Sequence, residues 1–173
     1  MAKAAVKKAM SGYFQVLARV MGEPRAFFAG LSQTRGIKPA FGFLLVSSLF
    51  FAAASLLVHG FSNPAAMSAV LFTNALGMTL ISAGLGYALM RIVSGRAVSF
   101  KRLFAVYAYA SGTVYLAAWI PLALWVTEPW KWWLIWTGLR RACGLKRPYV
   151  LIIVAGSIGG LVLIFWALMP IVH

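Results

Sequence analysis

The side chains that usually carry acid-base or metal chemistry are few and scattered in this sequence. It contains two histidines, the single cysteine Cys143 and two acids, Glu23 and Glu128. Metal sites and acid-base pairs need such groups in clusters, and these residues lie far apart along the chain. The sequence therefore predicts no catalytic residue, no cofactor and no metal site, and the lone cysteine excludes an internal disulfide.

His59 and Glu128 are the one pair of these residues that a membrane topology would bring to the same face. Both follow or precede long uncharged runs, at ends that are expected to lie outside. An unpaired residue at the membrane surface is the simpler interpretation for each of them.

The composition places the chain in a membrane. Hydrophobic residues make up 62% of its 173 residues, and charged residues make up only 10%, against about 25% in a soluble domain. The longest uncharged run extends over residues 39–90, far beyond the roughly 20 residues that one bilayer crossing needs. The sequence predicts an integral membrane protein.

The net charge of +14 comes from sixteen Lys and Arg against the two acids. Clustered cations can bind nucleic acid, but here they stand in short groups between long apolar runs. That pattern favours membrane topology and contact with anionic lipid head groups. No nucleic-acid partner is predicted.

The N-terminal residues 3–21 have apolar positions at a helical period and a basic polar face. This pattern is typical of an amphipathic helix that lies in the head-group region of an anionic leaflet, and the alternative is a helix that packs on the rest of the protein. A mitochondrial presequence is a further alternative, whereas a cleavable secretory signal is excluded because cations interrupt the apolar stretch. The predicted membrane-surface residues are Lys3, Lys7, Lys8 and Arg19.

The fold class predicted from these runs is an all-α integral membrane protein with five transmembrane helices after an N-terminal amphipathic helix. A cytoplasmic segment, residues 1–38, precedes a membrane domain, residues 39–173. Asn63 is expected to cap the second span and Pro64 to open it, and Pro121 is expected to kink the third. The predicted spans are residues 41–59, 65–90, 103–127, 129–145 and 149–170.

The fourth span is the ambiguous one, because residues 129–145 are short and combine tryptophans with cations. If the segment crosses and the N-terminus is cytoplasmic, all cations except Lys131 lie inside, as the positive-inside rule favours. If it lies on the outer surface, four more cations move outside. The five-span topology with the N-terminus inside and the C-terminus outside is therefore preferred. The interfacial residues are then Trp130, Trp132, Trp133, Arg140 and Arg141.

Small residues at four-residue spacing predict close helix packing. Gly156 and Gly160 form a GxxxG motif, and Ser82 and Gly86 repeat its spacing in the second span. These positions serve either contacts within the chain or the seam of a homo-oligomer. Asn74, the most polar side chain deep in a span, is expected to make an interhelical hydrogen bond rather than to line a solute path.

Several segments together resemble the YIP domain family, the Ypt-interacting membrane proteins. They are "EPRAFF" at Glu23, "KPAF" at Lys38, "YAYAS" at Tyr107 and "WWLIWTGLRRACGL" at Trp132, which is similar to the fourth span of that family. The resemblance covers about residues 20–170 and implies five spans after a cytoplasmic N-terminus. The short bacterial type implies the inner membrane as the location.

Eukaryotic members of that family are associated with Rab-type GTPases and vesicle traffic, whereas the short bacterial members mostly lack an assigned activity. The N-terminus here is basic and lacks the long acidic-containing cytosolic region of the eukaryotic proteins, and Gly112 and Thr113 stand where a proline often follows the "YAYAS" motif. The resemblance therefore does not imply Rab binding. It implies a non-enzymatic protein that interacts with membrane lipids or with other membrane proteins.

Two rival functions stay open at the level of the sequence. One is a small transporter or channel, which the nearly charge-free spans do not favour, since ion and proton pathways usually contain intramembrane ionisable residues. The other is an accessory subunit of a larger membrane complex.

Overall fold

The computed structural model describes the backbone of residues 2–34, 37–95 and 98–172, and the side chains of residues 10–31, 37–95 and 98–167. Over these residues the chain forms seven α-helices and no strand. The helices are α1 (Ala2–Gly22), α2 (Pro24–Thr34), α3 (Ile37–Val58), α4 (Pro64–Ser94), α5 (Phe100–Tyr115), α6 (Leu124–Arg141) and α7 (Arg147–Val172).

Three helices are long and apolar enough to cross a bilayer. Helices α3 and α4 qualify over their full lengths, and α7 qualifies over Arg147–Ala167. Their lengths of 22, 31 and 21 residues exceed the minimum of about 17 residues for a span. The all-helical class and the membrane-compatible helices predicted from the sequence are confirmed, and the three helices correspond to the predicted first, second and fifth spans.

Helix α4 has well-defined ends. Pro64 is its first residue, and the Asn63 side chain accepts a hydrogen bond of 3.2 Å from the Ala66 amide. This geometry satisfies one of the unpaired amides of the first turn, as the sequence predicts. At the other end Gly95 adopts a left-handed conformation with φ 60°, which glycine does at little cost.

Helix α5 is the central helix of the bundle. It packs against α3, α4 and α6 and touches α1 and α2, and every residue from Leu103 to Val114 is buried. Small residues at Ala105, Ala108 and Ala110 let the neighbouring helices approach. Because α5 has only 16 residues, its length is about 24 Å, less than the roughly 30 Å of a bilayer core.

The predicted third span, residues 103–127, is not one continuous helix. Helix α5 ends at Tyr115, a series of turns follows over residues 116–123, and α6 begins at Leu124 rather than at 129. Pro121 cannot donate a backbone hydrogen bond, and Leu122 has a positive φ of 68°, which breaks a right-handed helix. Helices α5 and α6 therefore form a helical hairpin.

The hairpin stops short of the loop that joins α3 to α4. The Tyr115 hydroxyl donates a 2.7 Å hydrogen bond to the Ala75 carbonyl, which lies about 16 Å along α4 from Pro64. The Tyr115 ring also contacts Phe51, with centroids 5.6 Å apart, about 10 Å before the end of α3. The α5 arm therefore ends roughly 10–16 Å below the α3–α4 loop.

The N-terminal segment contains a second helix, which was not predicted from the sequence. Helix α1 ends at Gly22 and α2 begins at Pro24. Helix α2 buries Phe27, Phe28 and Leu31 and packs against α6 and α5. The Phe27 ring meets Tyr109 edge-on, with centroids 5.0 Å apart, so the "EPRAFF" segment belongs to the core.

Candidate membrane-interaction site

Helix α1 is attached to the bundle through Tyr13. The Tyr13 ring stacks on Phe43 with centroids 4.8 Å apart, and its hydroxyl forms a 2.8 Å hydrogen bond with the Ser47 hydroxyl of α3. Burial raises the pKa of Tyr13, although the hydrogen bond to Ser47 lowers it in part. The phenol is therefore neutral at physiological pH, and the contact does not change with pH in that range.

This contact fixes the depth of α1 along α3. Ser47 lies ten residues into α3, about 15 Å from its start, and about 9 Å beyond Phe41, where the predicted first span begins. An interfacial amphipathic helix lies about 5–10 Å into the boundary between head groups and acyl chains. The Ser47 contact of Tyr13 lies at a comparable distance from the predicted start of the first span.

The side of α1 next to Tyr13 presents an apolar ridge. Met10, Phe14 and Met21 are 55%, 57% and 55% exposed and recur at helical spacing on one face. A groove of about 500 Å³ separates part of α1 from α3, with Arg19 and Gln15 at its rim. Arg19 is exposed as predicted, whereas the side chains of Lys3, Lys7 and Lys8 lie outside the described residues.

The predicted packing residues make contacts within the chain. A methyl group added at Gly86 would overlap the Tyr107 ring, and one added at Gly156 would come within 2.9 Å of Leu89. At Gly160 the nearest atom would be Leu85 at 3.4 Å. The Ser82 hydroxyl donates to the Met78 carbonyl in its own helix, at 2.7 Å.

The buried polar side chains of the described residues are hydroxyl-bearing. They are Ser and Thr residues together with buried Tyr107 and Tyr109. Several of the hydroxyls donate a hydrogen bond to a backbone carbonyl one turn earlier in their own helix. No group of three His, Cys, Asp or Glu in the described part is placed to hold a metal ion. Hydroxyls alone can link helices, but they are poor acid-base groups near neutral pH.

Glu128 and His59 are not brought together. The Glu128 carboxylate accepts a 2.6 Å hydrogen bond from the Lys131 ammonium one turn later in α6. His59 instead contacts the Ser55 carbonyl at 3.1 Å and stacks on Phe61. The Glu128–Lys131 pair is the only ion pair in the described part of the chain.

The predicted interfacial residues divide between two surfaces of α6. Trp130 and Trp133 are exposed and lie side by side, with centroids 4.9 Å apart. Trp132 is half-buried, and the Lys131 ammonium lies 5.3 Å from the centre of its ring, within cation–π range. Arg140 and Arg141 are exposed in the last turn of the helix, at the end from which α7 begins.

Asn74 differs from expectation. The sequence interpretation assigned it an interhelical hydrogen bond, but the side chain is exposed beside Thr73 and Gly77, with no hydrogen bond to another described residue. The buried positions of this part of α4 are Ala75 and Thr79 instead.

The sequence interpretation missed the tyrosines that fix the helices. Tyr13 was grouped with the apolar positions of α1, yet its hydroxyl bonds to a residue 34 positions away. Tyr115 lay inside a predicted continuous span, yet it bonds to α4 at Ala75 and Thr79. Its position six residues before Pro121 was the available signal for the end of a helix.

Comparison with known proteins identifies a family for this chain. No curated protein and no solved structure matches the chain. The model of the Yip1 domain matches residues 18–169, from the last turn of α1 to the final turns of α7. That match covers most of the sequence, and the chain belongs to the Yip1 domain family.

Proposed function

We propose that this protein is a non-enzymatic, multi-pass protein of the bacterial inner membrane that acts by binding lipids and other membrane proteins. The observation that supports this most directly is the attachment of α1. Tyr13 holds the helix against α3 at Phe43 and Ser47, while Met10, Phe14 and Met21 are exposed. A rigid apolar ridge beside a basic face is suited to binding an anionic leaflet or an amphipathic partner.

The proposed topology has a cytoplasmic N-terminus, five helices (α3 to α7) in the bilayer and an outer C-terminus. The positive-inside rule supports it, since Arg140, Arg141, Lys146 and Arg147 then share the inner side with the N-terminal cations. The hairpin of α5 and α6 begins and ends on the inner side. The sides of the two termini therefore do not depend on how far the tip of the hairpin reaches.

Spin labels on α1 test the proposal. In a Cys143→Ser background, cysteines replace Phe14 on the ridge or Gln15 on the adjacent exposed side, and the labelled protein is reconstituted in anionic vesicles. We expect the label at 14 to be relaxed by oxygen, which partitions into lipid, and the label at 15 by a water-soluble nickel complex. Equal exposure of both labels to the nickel complex would contradict the proposal.

The cations of α1 provide a second arm of the same experiment. Replacing Lys3, Lys7, Lys8 and Arg19 by Gln removes charge and leaves Tyr13 in place. Each Lys or Arg near an anionic surface contributes about 1 kcal/mol to binding, so the label at 14 should become less accessible to oxygen in the anionic vesicles. An unchanged depth would contradict a role for lipid charge.

A transporter is the rival function. Its support is limited to the small size of the protein and to the grooves on its surface. The hydroxyl-lined interior of the described part does not favour ion coupling. Substrate-specific uptake in a liposome flux assay would reverse this preference. For an accessory subunit, mass spectrometry of proteins that co-purify in mild detergent is the corresponding test.

A homo-oligomer is proposed through the exposed face of α4. A methyl group added at Gly77 or Gly84 would meet nothing within 4 Å, although glycine in a helix interior costs about 1 kcal/mol relative to alanine. Asn74 lies on the same face. An amide that faces lipid is stabilised when a second copy supplies a hydrogen bond.

A further inference from the structure

We infer that the cleft between α4, α6 and α7 binds a phospholipid whose head group contains a primary ammonium. This rests on the proposed membrane location and names one lipid class for it. The cleft has a volume of about 590 Å³. One wall contains Glu128, Lys131 and Trp132, and the rest is apolar, lined chiefly by Met78, Ile158, Leu161, Val162, Phe165 and Trp166.

The Glu128–Lys131 ion pair lies far from the first residues of the long helices α4 and α7. Met78 lies 14 residues into α4, about 21 Å from Pro64, and Leu161 lies about 21 Å along α7 from Arg147. Both residues line the same cleft as Glu128 and Lys131. Ionisable groups at such a level are costly and usually functional, and this pair contains one of only two acids in the sequence.

The charges of the pair are only partly satisfied within the chain. The Lys131 ammonium has three N–H donors, of which Glu128 Oε1 accepts one at 2.6 Å, and its side chain is 18% exposed. The Glu128 side chain is 45% exposed, which leaves acceptor sites of the carboxylate open to the cleft. A cation and an anion side by side complement a zwitterion, with phosphate beside Lys131 and ammonium beside Glu128.

The short hairpin makes this level reachable for a head group. The α5 arm ends at Tyr115, roughly 10–16 Å below the α3–α4 loop, and Trp130 and Trp133 lie exposed two and five residues after Glu128. Tryptophans concentrate at the membrane–water interface. A bilayer that thins near the hairpin would bring outer-leaflet head groups down to the ion pair, with acyl chains running from there past Ile158 towards the middle of the bilayer.

Native mass spectrometry of the detergent-solubilised full chain tests this inference. The probes are phosphatidylethanolamine, phosphatidylcholine and phosphatidylglycerol with identical acyl chains. We expect the ethanolamine lipid to bind about tenfold more tightly than the other two, because only its ammonium can donate charge-assisted hydrogen bonds to Glu128. Equal binding of all three lipids, or no binding, would overturn the inference and leave the cleft to another partner, such as a transmembrane helix.

Substitutions test the contribution of each charge to lipid binding separately. Glu128→Gln should bring ethanolamine binding down to the choline level, and Lys131→Gln should weaken all three phospholipids alike. Val162→Trp should displace lipid by narrowing the cleft while both charges remain. The matched controls Glu23→Gln, between α1 and α2, and Lys101→Gln, in α5, alter exposed charges outside α6 and should change nothing. Selectivity that persists in Glu128→Gln, at an unchanged melting temperature, would overturn the assignment of the ammonium site.

The outcome of the lipid-binding experiment and the outcome of the spin-label experiment on α1 are independent of each other. If the spin labels place α1 in water but ethanolamine selectivity is observed, the α1 proposal is wrong and the cleft assignment holds. If α1 lies in the interface and no lipid is selected, the cleft assignment alone is wrong.

Discussion

At the scale of single residues, glycines and tyrosines determine how closely the helices of this protein approach. Gly86 lies directly against the ring of Tyr107, whose hydroxyl is directed towards Ser157 of α7. Gly138 lies in the same way against Val106. In a bundle whose buried surface is apolar or hydroxyl-bearing, such contacts replace ion pairs as the source of specific packing.

Gly86→Ala should destabilise the protein by about 1–3 kcal/mol, because the added methyl group meets a buried aromatic ring that has no free space to move into. The free energy of unfolding in detergent, from denaturant titration, measures it. Gly159→Ala is the matched control, in the interior of the neighbouring helix α7 and facing open space. It should be neutral or stabilising by up to about 1 kcal/mol, and equal losses in both variants would contradict the packing argument.

Tyr115→Phe removes only the hydroxyl that ties α5 to α4. It breaks the hydrogen bonds to the Ala75 carbonyl at 2.7 Å and to Thr79 at 3.0 Å. Interhelical hydrogen bonds in membranes contribute about 0.6 kcal/mol on average and up to about 1.7, so a loss in that range is expected.

The same unfolding measurement checks Tyr115→Phe. Tyr149→Phe, at a half-buried tyrosine near the start of α7, is its control and should cost less. If the two variants were equally stable, the 2.7 Å bond would not be what holds the end of α5.

At the scale of elements, the hydrophobic runs predicted some helices and misled on others. Helices α3, α4 and α7 could be predicted from the length of the uncharged runs. The start of α4 could be predicted from Asn63 and Pro64. The run from 103 to 127 looks equally continuous, yet Leu122 adopts φ 68° because the chain must reverse there. Pro121 marks the break in the sequence, whereas the contact of Tyr115 with α4 depends on tertiary packing.

The two candidate surfaces, the exposed side of α1 and the cleft at Glu128 and Lys131, could be predicted only in part from the sequence. The spacing of apolar residues identified α1 as amphipathic, but it could not distinguish a helix on lipid from one packed on the protein. The structure shows packing on one side, through Tyr13 and Val20, and an exposed ridge on the neighbouring side. The Glu128–Lys131 spacing was visible in the sequence, whereas the α7 wall of the cleft depends on tertiary packing.

The exposed face of α4 gives a prediction about self-association. Asn74→Leu should weaken the association of two copies by roughly three- to tenfold, because the amide hydrogen bond between copies is lost. Energy transfer between donor- and acceptor-labelled protein in vesicles measures the dissociation constant. Asn74→Gln retains an amide and should preserve association. A dissociation constant that did not change in the Leu variant would exclude this face as the interface.

At the scale of the whole molecule, the distribution of charge implies an asymmetric membrane environment. Cations surround the ends from which α3, α5 and α7 begin, and the described residues near the α3–α4 loop include none. Under the proposed orientation, this distribution gives the protein a basic inner surface.

Cysteine labelling tests this orientation, but the native cysteine is a poor reporter. Cys143 is buried, with 6% of its surface exposed, so its labelling would reflect packing rather than the side of the membrane. In a Cys143→Ser background, Ser62→Cys in the α3–α4 loop and Lys146→Cys before α7 are both exposed positions. A membrane-impermeant maleimide should label position 62 in intact spheroplasts and position 146 only after permeabilisation.

The reverse labelling pattern would have consequences beyond topology. It would place the basic ends outside, against the positive-inside rule, and would move the apolar ridge of α1 to the outer leaflet. The cleft at Glu128 and Lys131 would then open towards inner-leaflet lipids, because it lies on the side of the bundle away from those basic ends. Its preference for a primary ammonium head group would be unchanged, since that preference follows from the ion pair and not from the orientation.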